Sequence, residues 1–236
     1  MDNFITKSIK KSDINTVFKY LNEIRDNSDI NNLFNILESQ KNVYLVGGAI
    51  RDIAVRQVLP RDIDNIVEKE EELDKALNDF KYTKNRFGGF KLEIGNLYFD
   101  IWTMKDHWAF KKGIFECNYD NLSKTTFLNI DSLILDLKNQ KFQVEIFNRA
   151  IEEKLLDITL PNEYITENPT PEVNILRLLI FKKEWGLEFS DLVNEYIFSW
   201  LDNSINHISK LIEAQKKHYK LDKISKKEIK YQLFQK

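Results

Sequence analysis

Nine consecutive residues, Tyr44-Leu45-Val46-Gly47-Gly48-Ala49-Ile50-Arg51-Asp52, followed by Arg61-Asp62-Ile63-Asp64, constrain the fold of this chain more than any other segment. An apolar run that ends on two glycines and resumes with helix formers reads as a buried strand turning sharply into a helix. The next strand carries two carboxylates one residue apart. A strand repeats every two residues, so Asp62 and Asp64 project from one face and Ile63 from the other. Two hard oxygen ligands on one face, near a glycine turn that can cradle phosphates, suit a site for magnesium and a nucleotide. The combination points to nucleotidyl transfer; the alternative for the two acids is a surface pair beside Arg61.

Around this nucleus the pattern is mixed. Ser12-Asp13 and Ser28-Asp29 are candidate caps for two helices with Ile14, Val17, Phe18, Leu21 and Ile24, then Ile30, Leu33, Phe34 and Leu37, at helical spacing. Strands are expected at 43–47, 62–67, 91–94 and 97–102, with helices at about 49–58 and 70–79. Gly88-Gly89 and Gly95-Asn96 mark turns, the second joining a hairpin. A further strand pair is expected over 130–137 and 142–146. From about residue 148 the pattern becomes helical, with Thr170-Pro171-Glu172 as a helix start, Gly186 as its stop, and another start at Ser190. The division that follows is a helical lead-in (1–40), a catalytic unit (41–147) and a helical domain with a basic tail (148–236).

Asp100 is a lone acid in the apolar run Leu97-Tyr98-Phe99-Asp100-Ile101-Trp102-Thr103. A charge buried unpaired is costly, so Asp100 calls for a metal or a cation, with Arg86 and Lys91 the nearby candidates. Lys91 and Arg86 also flank Gly88-Gly89 and are candidates to face a triphosphate. His107 and Trp108 follow the Asp100 strand closely, either roofing a nucleotide or filling core. From Lys210 onward the chain carries nine lysines, among them Lys216, Lys217, Lys220 and Lys227, interleaved with His218, Tyr219, Tyr231 and Phe234. Such a segment either tracks an RNA backbone or is a solvated helical face.

The Gly47-Gly48-Ala49-Ile50-Arg51-Asp52 and Asp62-Ile63-Asp64 segments together resemble the head domain of the bacterial poly(A) polymerase and CCA-adding tRNA nucleotidyltransferase family, within the polymerase-β-like superfamily. The resemblance spans residues of about 42–187, strongly in its first half and faintly in its second. It implies an α+β fold, a mixed and mainly antiparallel sheet with helices on one side, followed by a small helical domain. It also implies two Mg²⁺ ions held by Asp62 and Asp64 with Asp100 completing the site, an NTP substrate, and an RNA 3′ end, tRNA included, as acceptor. Gly47, Gly48, Arg51 and Lys91 are then triphosphate contacts, with an ion pair to Asp52 the alternative for Arg51. The family's second motif corresponds to Ser123–Ile130, where Lys124 and Asn129 match and Thr125 replaces an acid. Its base-reading helix corresponds to Thr170–Arg177, where Arg177 matches and an acidic pair and a first Arg are absent. Asn129 and Arg177 are thus nucleotide contacts by resemblance. A small-molecule or protein hydroxyl as acceptor, or a silent RNA- or nucleotide-binding module, are the alternatives.

The formal net charge of −2 gives no global basic footprint, so nucleic-acid contact has to be local. The single cysteine, Cys117, rules out a disulfide within the chain and suits a reducing compartment. The first residues lack the apolar run of a signal peptide and no long apolar stretch follows, so a cytoplasmic location is expected.

Overall fold

A computed structural model describes residues 7–68, 73–85, 88–219 and 222–234. Arg86, Lys220 and residues 70–72 of the expected fourth helix lie outside the described residues. The chain divides into two compact units: one runs to Thr126 and takes in Ile130–Arg149, the other comprises Phe127–Asn129 and everything from Ala150.

The first unit begins with helices α1 (Asp13–Arg25) and α2 (Ser28–Gln40). Ser12 makes no capping bond, and Asp13 instead accepts from the Lys10 amide. The cap of α2 is Asn27, whose side chain accepts from the amides of Asp29 and Ile30, one residue before the expected Ser28. Asn27 wins because its extended backbone aims a short amide oxygen at the first free N–H groups.

The chain then runs through β1 (Val43–Val46), α3 (Gly48–Arg51), a π-helical turn (Asp52–Arg56) and β2 (Asp62–Val67). Next come α4 (Leu73–Ala76), β3 (Tyr82–Lys84), β4 (Phe90–Ile94) and β5 (Leu97–Thr103). After α5 (Trp108–Lys111) and α6 (Tyr119–Leu122), β6 (Ile134–Asp136) and β7 (Lys141–Gln143) complete a seven-stranded sheet of order β3-β4-β5-β2-β1-β6-β7. The β2–β5 pair is parallel and the others antiparallel. Strand β3 was not expected from the sequence, because Tyr82-Thr83-Lys84 is an edge strand without an apolar run.

One sheet face is covered by the N-terminal helices. Phe34 of α2 meets Phe99 of β5 edge to face, with ring centroids 6.1 Å apart, and both are fully buried. Truncating either ring would cost about 3–5 kcal/mol. The opposite face carries the acids, and it is not bare. Tyr44, Ile66 and Ile134 form a second core there with Met104, Phe110 and Leu122, so α5 and α6 cover one end of that face. The expectation of helices on one side therefore holds only for part of the sheet. Asp62, Asp64 and Asp100 lie on this same face and are each half-buried.

The chain passes into the second unit within α7 (Glu145–Glu153), followed by β8 (Leu155–Leu156), α8 (Asn162–Ile165), α9 (Pro171–Trp185) and β9 (Glu188–Phe189). Helices α10 (Asp191–Asp202), α11 (His207–Tyr219) and α12 (Lys226–Phe234) end it. Gly186 stops α9 in the left-handed region at φ 60°, and Ser190 caps α10 by accepting from the Val193 amide. The buried Gln215 pins α11 to the following turn, accepting from the Lys223 and Ile224 amides and donating to Asp222 and the Ile224 carbonyl. The short parallel pair β8–β9 is an addition to the expected all-helical pattern.

Candidate active site

The position of each acid follows from strand register. Asp62 and Asp64 alternate with the fully buried Ile63 on β2. Asp64 lies directly opposite Asp100 on the parallel neighbour β5, and opposite Val46 on β1. Adjacent strands lie about 4.8 Å apart and residues two apart on a strand about 6.6 Å apart. Three carboxylates thus share a patch small enough for a pair of cations.

Cationic side chains compensate this charge. Lys91 is paired with Asp100 across the β4–β5 ladder, and its Nζ donates to Asp100 Oδ2 at 2.8 Å. Desolvation pulls the Lys91 ammonium down, but the Asp100 hydrogen bond and the charges of Asp100, Asp62 and Asp64 outweigh it and hold its pKa above the ordinary lysine value. Lys91 therefore sits in the field of all three acids. Arg61 Nε donates to Asp62 Oδ2 at 2.8 Å. Of the two cations offered for Asp100 by the sequence, Lys91 is the one seen, and Arg86 lies outside the described residues.

Among the described residues no group of three or more His, Cys, Asp and Glu side chains converges as a ready-made metal site. The backbone register nevertheless fits divalent ions: three hard oxygen donors share one sheet face. The cations that compensate them are solvent-reached, with Lys91 46% and Arg61 48% exposed, so both can swing away at little desolvation cost.

The glycine turn closes the site beside β1. Gly47 has φ 71°, which only glycine adopts without strain, and its amide donates to the Leu133 carbonyl at 2.8 Å. The Gly47 N–H is therefore spent within the fold, and the amides from Gly48 onward remain the phosphate candidates. Arg51 is buried, with its Nη1 donating to Asp131 Oδ1 at 2.5 Å and its Nε 3.6 Å from Asp52.

Asn129 and Arg177 belong to the second unit. Asn129 is buried, donates from Nδ2 to the Leu155 carbonyl at 2.9 Å, and its amide bonds the Asp157 carbonyl. Arg177 is half-buried on α9, with its guanidinium carbon 5.7 Å from the Phe181 ring centroid. Lys216 and Lys217 are exposed on α11 and Lys227 on α12; Lys220 lies outside the described residues. His107 packs against Phe110 at 5.8 Å between ring centroids, and burial drops its pKa to about 4. Sequence reasoning passed over Tyr98 and Trp102, which share the Asp100 face of β5 and are half-buried. The period of two that groups Asp62 with Asp64 is the signal that finds them.

With this geometry in view, the chain can be set beside solved proteins. It matches a CCA-adding enzyme solved in complex with ATP at TM-score 0.61 and 20% identity, over 91% of this chain and 53% of that one. A Thermotoga maritima CCA-adding enzyme complexed with tRNA aligns at TM-score 0.56 and 22% identity, over 84% and 50% of the two chains. A tRNA nucleotidyltransferase complexed with a primer tRNA and an incoming ATP analogue aligns at TM-score 0.58 and 18% identity, over 85% and 62%. The fold is thus the nucleotidyltransferase fold of these enzymes, and the chain spans roughly half the length of the first two, 53% and 50%. No protein-family model and no curated protein sequence matches the chain. Among the described residues no helix is long and apolar enough to cross a membrane.

Proposed function

We propose that this chain is a Mg²⁺-dependent nucleotidyltransferase that moves an NMP group from an NTP to a hydroxyl at an RNA 3′ end, tRNA among the acceptors. The observation that carries the reading is the register that sets Asp64 opposite Asp100 and beside Asp62 on one sheet face, next to the Gly47 turn. Asp62, Asp64 and Asp100 would hold two Mg²⁺ ions, which supply charge neutralisation at the triphosphate and lower the pKa of the attacking hydroxyl. Asp100, on the strand farther from the glycine turn, would take the proton of the acceptor hydroxyl. That oxygen bonds to the α-phosphorus, the bond to the bridging oxygen breaks, and pyrophosphate leaves with the electron pair. Amides from Gly48 onward and the Lys91 ammonium hold the phosphates, Lys91 exchanging Asp100 for the triphosphate. Asn129 and Arg177 are retained as nucleotide contacts by resemblance alone.

The cations on Asp62 and Asp100 favour one second reading, a binding module that takes nucleotide or RNA without transfer. Incubation with each α-labelled NTP, Mg²⁺ and cellular RNA separates the two. Label entering RNA with the wild type and lost in Asp62→Ala/Asp64→Ala is the expected result. No label from any NTP sinks the RNA-terminal transferase. Magnesium-dependent NTP binding that survives Asp64→Asn unchanged sinks the metal site.

A further inference from the structure

Asp100 is flanked on its own face of β5 by two half-buried aromatic residues that the metal and phosphate assignments leave without a task, Tyr98 and Trp102. Each Cα lies about 6.6 Å from that of Asp100 along the strand. Tyr98 is opposite Asp62 on β2, and the Lys91 ammonium stands 5.7 Å from its ring centroid, so it belongs to the charged half of the site.

Trp102 is different. The ladder that pairs Lys91 with Asp100 and Phe90 with Ile101 brings Gly89 opposite Trp102. A Cβ built on Gly89 would fall 2.0 Å from Trp102 Nε1, 2.5 Å from Cε2 and 2.6 Å from Cδ1. The indole therefore lies down over the glycine backbone, in space that any other residue at 89 would fill. Gly89 is clamped in place: its amide donates to Asn85 Oδ1 at 3.1 Å and its carbonyl accepts from the Asn85 amide at 2.8 Å. One side of the indole rests on this clamp, and the residue as a whole is only half-buried, opposite Ile66 on β2.

Resting on the nucleotidyltransferase reading, we propose that Trp102 is the platform on which the 3′-terminal nucleobase of the RNA acceptor stacks, so that its ribose hydroxyl meets Asp100. Position selects the acceptor over the NTP. Past Val46, which is opposite Asp64, the glycine turn runs on toward the Asp62 end of β2, and Lys91 stands over Tyr98, opposite Asp62, so both sets of phosphate contacts lie toward that end. Trp102 lies two residues past Asp100 in the opposite direction along β5, level with Ile66. Chemistry selects a nucleobase. An indole laid flat offers a π surface that every base can cover, and such stacking tolerates any sequence.

The test uses the full chain in Mg²⁺ without NTP, a short end-labelled oligoribonucleotide, and the variants Trp102→Phe and Trp102→Leu. Leucine still covers Gly89 but has no π face. Oligonucleotide binding is expected to stay within about threefold in Trp102→Phe and to weaken about tenfold or more in Trp102→Leu. Binding of a fluorescent ATP analogue is expected to be unchanged in both. The oligonucleotide should quench tryptophan emission in the wild type, and Trp102→Phe, which keeps Trp108, Trp185 and Trp200, should lose that quench. Equal oligonucleotide binding in the Phe and Leu variants, or a quench that survives Trp102→Phe, overturns the proposal. A parallel loss of ATP-analogue binding in Trp102→Leu overturns it too, because the ring is then a structural prop. The two readings fail separately. Wild type that binds and is quenched by RNA without ever transferring a nucleotide supports the platform and removes the transferase. Wild type that transfers NMP only to a small molecule or protein, with no RNA quench, overturns the platform and keeps the transferase.

Discussion

Replacing Arg51 with Met separates the two roles open to this residue, a brace beneath the glycine turn and a contact to phosphate. The Arg51 side chain is 9% exposed and that of Asp131 8%, and they meet at 2.5 Å across 80 residues of sequence. Arg51→Met strips the Asp131 carboxylate of its guanidinium in a place water scarcely reaches. Breaking a buried pair from one side costs about 3–5 kcal/mol, far more than the pair contributes relative to apolar residues. At roughly 2–4 °C per kcal/mol for a chain of this size, the melting temperature should fall by about 6–20 °C. The damage should also reach the site, because the Asp131 carbonyl lies 3.5 Å from where a Gly47 Cβ would stand. Adding Asp131→Asn removes the stranded charge and should restore more than half of the lost stability. Thermal unfolding followed by circular dichroism reads the stability, and titration with a fluorescent ATP analogue reads the phosphate contact. A double variant with restored stability and unchanged nucleotide affinity makes Arg51 a brace alone; a tenfold weaker affinity adds the phosphate role. A loss below about 1 kcal/mol in Arg51→Met would refute the argument, since it would mean that the pair is not buried as drawn.

Two further outcomes follow from the charge pattern. Lys91→Met removes the ammonium that pairs with Asp100 and feels the charges of Asp62 and Asp64, so Mg²⁺ binding without nucleotide, measured by calorimetry, should tighten severalfold while NTP binding weakens; a weaker Mg²⁺ affinity would refute the placement. His107 has its pKa lowered to about 4 by burial, so the unfolded chain takes up a proton near 6.5 that the folded chain refuses. Its contribution is fully present above pH 6.5 and is lost as the pH falls toward 4, about 2 kcal/mol of it between pH 7.5 and 5. Urea titrations at the two pH values should show that loss in wild type and a smaller one in His107→Phe, and equal losses would show that His107 is not the group responsible.

What short-range chemistry governs was legible from the residues alone. The period of two set Asp62 and Asp64 on one face, the two glycines marked the strand-to-helix turn, and Pro171 and Gly186 bounded α9, because each of these is decided within a few residues of chain. Where two local signals competed, the sequence was ambiguous, as with Asn27 taking the cap that Ser28 also offered. Tertiary structure alone decided the rest. The parallel pairing of β2 with β5 set Asp64 against Asp100, and the β4–β5 ladder set Lys91 among the three acids and Gly89 beneath Trp102. Folding buried Arg51 on Asp131, which no spacing in the sequence connects. Period and capping act through adjacent residues, whereas register and burial depend on which distant segments share a core, so the acids and their candidate cations Lys91 and Arg61 were readable, but not the register that gathers them or the burial of Arg51 on Asp131.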